Sequence, residues 1–244
     1  MKKFLACVFI LAIFAGAVFY IGWTQFKVRA DSVGVVISKT NGIEKNPVKN
    51  GEFSWYWQFL LPTNATIKKF SIKPLNVTKN ISGELPSGAI YSTVYSSADN
   101  FSYSFDFSIS VTVAPEMLPD LIEKNVITDN EDLAAYLNNA ADSLAQLAAD
   151  YILKKSHENP SFRPESIRRD DLLKSIQVYK EFPEIDVSVF AVTSSKIPDY
   201  KLYERIQTGY IQNQKLNQNE NQNQNGNINS TEVEQPVEAE GEIL

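Results

Sequence analysis

The chain has 244 residues, of which 43% are hydrophobic and 11% aromatic, enough apolar surface for a packed core. Its formal charge of -6 comes from residues 217–244, which hold six glutamates and no Lys or Arg. The other 23 acidic residues balance the 23 basic ones, and this neutral body without a basic stripe argues against nucleic acid as a partner. One cysteine (Cys7) and one histidine (His157) nearly exclude Cys/His metal sites and nucleophile pairs, so we expect no metal, cofactor or catalytic residue.

The first predicted element is a membrane anchor at residues 1–27. Its apolar run from Phe4 to Trp23 carries no charge and would form a helix about 30 Å long, the hydrocarbon thickness of a bilayer. Tyr20 and Trp23 lie near its far end, where aromatic rings favour the membrane interface. A cleaved signal peptide is the alternative, but its apolar core would normally be shorter.

The orientation of this helix rests on a nearly balanced count of positive charges. Lys2 and Lys3 precede the helix, and Lys27 and Arg29 follow it. Because a very short stub most simply stays inside, we expect a cytoplasmic N-terminus. Residues 24–244 would then lie on the periplasmic or extracytoplasmic side of an inner or plasma membrane.

Strand patterns dominate the next eighty or so residues. From Phe101 to Val113 every odd position is apolar and every even position polar, which predicts a long strand with one buried face. The polar face would meet water or a neighbouring subunit. An Asn-Gly pair at 41–42 is typical of a hairpin turn. Shorter strands are expected at "SVGVVIS" (32–38), "ATIKKFSI" (65–72) and "LNVTKNIS" (75–82).

An aromatic row also falls on alternate positions, at Phe53, Trp55, Trp57 and Phe59. Three interpretations are open. The rings could form the buried face of another strand, where aromatic residues are common. They could enter the bilayer beside the anchor, or they could stack on a glycan or peptide.

Helices follow Pro115. The pattern predicts a short helix at 115–125, a long one at 128–155 capped by Asp129 or Asn130, and a third at 164–179. A heptad-like stripe on the long helix could cover its own sheet or join a neighbouring subunit. This candidate self-association stripe comprises Leu133, Leu137, Ala140, Leu144, Leu147 and Tyr151.

A last strand at 185–192 returns the chain to the sheet, which predicts an α+β fold: an antiparallel β-rich sheet with helices on one side. A short exit helix is expected at 201–216. Between Gln212 and Asn229, thirteen of eighteen residues are Asn or Gln, so we expect 217–244 to be a disordered Asn/Gln-rich and acidic tail.

Paired carboxylates are the residues that could support an enzymatic activity. Asp170 with Asp171, and Glu184 with Asp186, are candidates for two-carboxylate hydrolysis. Adjacent residues on a helix point about 100° apart and seldom share a substrate. The second pair follows Pro183 at a strand entry, where solvated acids are common, so we favour a non-enzymatic protein.

The order of these segments resembles the SPFH or band 7 family, the stomatin/prohibitin/flotillin group. The resemblance rests on the anchor, "VRADSVGVVIS", "KNGEFSWYWQFLLPTNATIKKFSI", the long strand leading into "VAPEMLPDLIEKN", and "FPEIDVSVFAVTSSKIPDYKLYERI". Asn50, Gly51 and Phe53 stand at the family's turn, and Ile197, Pro198 and Tyr200 at its exit. The SPFH-like domain would cover residues 28–200.

The resemblance implies a membrane-anchored, non-enzymatic scaffold that self-associates, alone or with related subunits, and restrains partners such as membrane proteases. The lipid bilayer would be its other partner, touched by Tyr20, Trp23 and the aromatic row. Family members usually continue the exit helix into a long coiled coil, whereas here we expect the helix to last at most about fifteen to eighteen residues before the Asn/Gln tract. The alternatives are a secreted or periplasmic β-rich module that binds a glycan or peptide through the aromatic row and, more weakly, a hydrolase acting through acidic residues.

Overall fold

A computed structural model describes residues 2–24, 28–94 and 101–228. The chain forms two compact units, which are described separately. The first comprises Met1–Ser82 and Ser104–Lys196, and the second comprises Gly83–Tyr103 and Ile197–Leu244.

The first unit begins with helix α1, Lys2–Gly22. Its 21 residues span about 31 Å, and its apolar side chains are almost all exposed. Among the described residues, it is the one helix long and apolar enough to cross a membrane. The expected N-terminal apolar helix is thus confirmed.

A small antiparallel sheet follows, with strand order β2-β1-β3. Its strands are β1 (Ser32–Ser38), β2 (Gly42–Ile43) and β3 (Ala65–Ser71). Gly42 takes a φ of 74°, which a side chain would disfavour, and this explains the Asn-Gly hairpin turn. Val28, Val36 and Val48 form the core under this sheet.

A second sheet has the order β4-β5-β6. Its strands are β4 (Leu75–Glu84), β5 (Ser102–Val113) and β6 (Ile185–Lys196), and β6 runs antiparallel to β5. The odd residues of β5 from Phe105 to Val113 are buried as predicted, Tyr103 is half-buried, and the Phe107 ring lies 5.8 Å from that of Phe190 on β6. The α+β class with antiparallel strands is confirmed, although the strands divide between two sheets rather than forming one.

Helices α3 (Leu118–Glu123) and α4 (Asn130–Glu158) follow β5. Asp129 caps α4 as expected, because its carboxylate accepts hydrogen bonds from the backbone N–H groups of Glu131 (2.9 Å) and Asp132 (3.0 Å). Lys79 of β4 contacts Asp142 at 2.7 Å, which places α4 over the second sheet.

The third predicted helix, at 164–179, is wrong as a single element. The segment divides into a 3₁₀ turn (Pro164–Ser166), α5 (Arg169–Ser175) and α6 (Val178–Glu181). Extended backbone at Arg168 and a left-handed conformation at Gln177 make the two breaks. The Arg169 side chain donates to the Ser188 carbonyl oxygen of β6 at 2.9 Å, so contacts with the sheet override local helix propensity.

The self-association stripe on α4 largely serves the chain's own core. Leu133, Leu137, Ala140 and Leu144 are buried within the single chain, which favours the interpretation that the stripe covers its own sheet. A contact of the stripe with a neighbouring subunit stays a prediction. Leu147 and Tyr151 remain half-buried and line a shallow polar cavity with residues of α5 and α6. Further buried alanines, such as Ala141 and Ala145, let α4 approach the sheet closely.

The second unit contains α2 (Gly88–Val94) and α7 (Tyr200–Ile228). Tyr203 packs edge-on against Phe101, with ring centres 5.5 Å apart, and donates a hydrogen bond to the Pro86 carbonyl oxygen. Helix α7 continues through residues 217–228, where the sequence predicted a disordered tail. The tract contains no proline, so its backbone can keep the hydrogen bonds of a helix. Residues 229–244 lie outside the described part.

We predict that Leu144→Ala lowers the free energy of unfolding by about 2 to 5 kcal/mol, because Leu144 is fully buried and leaves a cavity. The matched control is Gln146→Ala, an exposed site on the same helix, with an expected change below about 0.5 kcal/mol. Denaturant unfolding in mild detergent measures both. Equal effects would show that α4 is not a core helix.

Candidate membrane-contact site

The aromatic row does not form a strand. Phe53 and Ser54 lie in a loop, Trp55 makes an isolated bridge with Trp23, and Trp57–Leu60 is a 3₁₀ turn. The interpretation that these rings form the buried face of a strand is therefore wrong. Phe53 is 61% exposed, Trp57 45% and Trp55 36%.

The backbone of this loop hydrogen-bonds with the end of α1 instead of with a neighbouring strand. The backbone N–H of Thr24 donates to Ser54 O (3.0 Å), and the N–H of Tyr56 donates to Gly22 O (2.9 Å). The Thr24 hydroxyl also donates to Ser54 O at 3.1 Å. These bonds satisfy groups at the helix terminus that would otherwise lack a partner.

Side chains strengthen the same junction. The Trp55 indole N–H donates to the carbonyl oxygen of Phe19 in the last turn of α1, at 3.0 Å. Phe53 stacks on Phe19 with ring centres 5.9 Å apart, and Trp23 lies 6.2 Å from Phe53. These four side chains, Phe19, Trp23, Phe53 and Trp55, are called the aromatic junction below.

Position 22 requires glycine because the Trp55 indole packs closely against the backbone there. A Cβ atom at position 22 would lie 2.3 Å from Nε1 of Trp55, far inside van der Waals contact. Gly16, in the same helix, has nothing within 4 Å of such an atom. The indole therefore lies directly on the backbone of the helix end.

The inner side of the loop is fixed to the first sheet. Tyr56 and Phe59 pack against the valine core beneath β1, so Phe59 belongs partly to the interior rather than to the exposed row. Burial, and secondarily the charge of Glu44, raise the pKa of Tyr56, whose hydroxyl donates to Asn46 O at 3.1 Å. The buried Gln58 amide donates to Glu44 at 2.8 Å.

The outer side of the loop presents apolar surface near the end of α1. Phe53, Trp57 and Leu61 are each at least 45% exposed. Phe53 stacks on Phe19, which is about 5 Å along the axis from the helix end at Gly22. If α1 spans a bilayer, Phe53 lies at the depth of the interface. Sequence reasoning omitted Phe19 and Leu61, and only the spacing of Phe19 four residues before Trp23 hinted at its role.

The candidate acidic pairs have separate partners. Asp170 pairs with Arg169 at 2.8 Å, and Glu184 accepts a hydrogen bond from Tyr136. Burial and this contact raise the pKa of the Tyr136 hydroxyl, which keeps its proton. Within the described ranges, no group of three or more His, Cys, Asp or Glu side chains could hold a metal ion.

These observations define a class of protein: an α+β domain with a loop that packs on the end of an apolar helix long enough to span a membrane. The SPFH domain / Band 7 family matches residues 26–227, and the chain belongs to this family. A Treponema pallidum (strain Nichols) protein, named "Uncharacterized protein", is 27% identical over 194 residues. The match covers 78% of this chain but 65% of that relative.

We predict that Gly22→Val displaces the Trp55 indole and loosens the loop, because the added side chain overlaps the ring. Limited proteolysis in mild detergent should then cut within residues 50–61 at least several times faster than in the wild type. Gly16→Val makes the same chemical change where there is space and should leave the cleavage rate unchanged. Equal rates in all three proteins would refute the packing described for the junction.

Proposed function

We propose that this protein is a membrane-anchored, non-enzymatic scaffold of the stomatin/prohibitin type. It self-associates, with its own copies or with related subunits, and it organises or restrains membrane partners such as membrane proteases. Members of its family generally assemble into oligomers, associate with membranes and lack catalytic activity, and the family match supports this reading at that level.

The aromatic junction is the observation that carries the proposal. A soluble binding module released from its leader would have no need to bond its body to the last turn of the apolar helix. Here the loop donates to the carbonyl oxygens of Phe19 and Gly22, and Gly22 accepts a close approach that no other residue type allows. These contacts favour a retained anchor over a cleaved signal peptide.

The bilayer is the first partner in this proposal. Tyr20, Trp23, Phe53, Trp55 and Trp57 would lie in the interface, where aromatic rings combine apolar area with polar edges. Phe59 would contribute only its half-exposed edge, because it packs on the first sheet. The domain would lie on the periplasmic or extracytoplasmic side, with the N-terminus in the cytoplasm.

Exposure of the aromatic row also favours a second candidate, a secreted β-rich module that stacks Trp57 and Phe53 on a glycan or peptide. It requires removal of α1. That removal would also expose Trp55 by taking away the helix end on which it lies. A hydrolase has no comparable support, because Asp170 is paired with Arg169 and Glu184 accepts a hydrogen bond from Tyr136.

We expect the full-length protein to stay with membranes after a carbonate wash and, in mild detergent, to form particles of many subunits by light scattering. N-terminal sequencing of the same sample should give a start near Met1. A soluble monomer that begins near Asp31 would contradict the scaffold and support the secreted module. Glycan and peptide arrays, with Trp57→Ala as the control variant, would then be the next experiment.

A further inference from the structure

Strand β4 is a long sheet edge that no described residue covers. It has ten residues and no proline, and it is hydrogen-bonded on one side, to β5. Every second residue of such an edge strand directs its N–H and C=O groups away from the sheet. Within the described ranges, no hydrogen bond reaches these outward groups between residues 75 and 82.

The other three edges of the two sheets are short or blocked. Asn130 closes the edge of β3 in the manner of a strand residue: its side-chain amide donates to Lys69 O (3.0 Å) and accepts from Ser71 N–H (2.7 Å). Arg169 donates to Ser188 O on β6 at 2.9 Å, beside the Pro164–Ser166 turn. Strand β2 is only two residues long. Blocking of this kind normally prevents unwanted strand pairing.

The charges of β4 do not protect it either. Lysine on an edge strand usually repels a second strand. Lys79, however, is turned onto α4, where its ammonium lies 2.7 Å from Asp142 and 2.9 Å from Asn138. From Asn76 to Ser82 the exposed face of the strand carries only uncharged polar side chains, Asn76, Thr78, Asn80 and Ser82, and Glu84 at the strand end is its one exposed charge.

We propose that β4 pairs antiparallel with β4 of a second copy of this chain, which joins two three-stranded sheets into one of six strands. The inference deepens the proposed self-association and depends on it. An identical copy fits because the exposed face is uncharged from Asn76 to Ser82, and with the axis given below Glu84 lies opposite the uncharged Asn76 of the other copy. A peptide from another protein would explain the open edge but not this match.

The register of the pairing follows from the sequence of β4. A two-fold axis relates the two copies. The half-buried odd residues of both strands must lie on the same face of the joined sheet, so even residues lie opposite even residues. An axis through Lys79 would place the two lysines opposite each other, which is unfavourable. Among the other registers, the one with the longest overlap of the two strands has its two-fold axis at Asn80. This register places Thr78 opposite Ser82 of the other copy.

Full-length Thr78→Pro tests the main-chain pairing. Leu85, the residue after β4, donates its N–H to Phe101 O at 3.0 Å, so odd residues of the strand face β5 and Thr78, an even residue, faces outward. Proline at position 78 therefore removes an edge N–H without removing a bond to β5. The particle mass in mild detergent should fall at least two-fold. Thr78→Ala keeps the N–H and should leave the mass unchanged. Equal masses for the folded wild type, Thr78→Pro and Thr78→Ala would overturn the proposal.

Cross-linking tests the register without relying on the folding of a proline variant. In a Cys7→Ala chain, Asn80→Cys should form a disulfide between copies under mild oxidation, because residues opposite each other in a sheet lie about 4.5 to 5.5 Å apart. Thr193→Cys, an exposed site on β6, should not. Large particles without the Asn80→Cys disulfide would overturn the β4 interface but leave self-association intact. A monomeric wild type would overturn both.

Discussion

The structure depends on the backbone pairing between residues 22–24 and 54–56. The end of any helix leaves carbonyl groups without partners, and at a membrane interface these groups compete for water with lipid headgroups. Here the Tyr56 N–H donates to the Gly22 carbonyl, and the Trp55 indole adds a second donor to the Phe19 carbonyl, which also accepts from the Trp23 N–H. The helix end and the first sheet thus become one rigid element, which sets the depth of the exposed Phe53 and Trp57 relative to the helix.

A second constraint is that α4 must cover the β4-β5-β6 sheet at close range. Leucines and alanines on one helix face supply this contact, and Lys79 and Glu184 tie the sheet to α4 through Asp142 and Tyr136. Most of that helix face is therefore occupied by the core. The proposed association between copies would use other surfaces, and the edge of β4 is one that the described residues leave open.

Periodicity predicted most of the architecture. The thirteen-residue alternation of β5, the apolar run of α1 and the cap of α4 are local patterns with one solution, and all three are present. The interpretation of the aromatic row as a strand failed because the same alternation is compatible with a loop. The partner of that loop, the end of α1, lies some thirty residues away in the sequence. The breaks at Arg168 and Gln177 and the closure of β3 by Asn130 also depend on distant contacts, which no local pattern reveals.

In the proposed function the junction holds the aromatic row in the membrane interface, and tryptophan quenching by brominated lipids in liposomes measures that position. The difference between wild type and Trp57→Phe isolates the signal of Trp57. We expect Trp57 to be quenched by lipids brominated near the headgroup and much less by lipids brominated near the bilayer centre. A Trp57 signal that no brominated lipid quenches, while the emission that remains in Trp57→Phe is quenched, would show that the aromatic row does not lie in the interface.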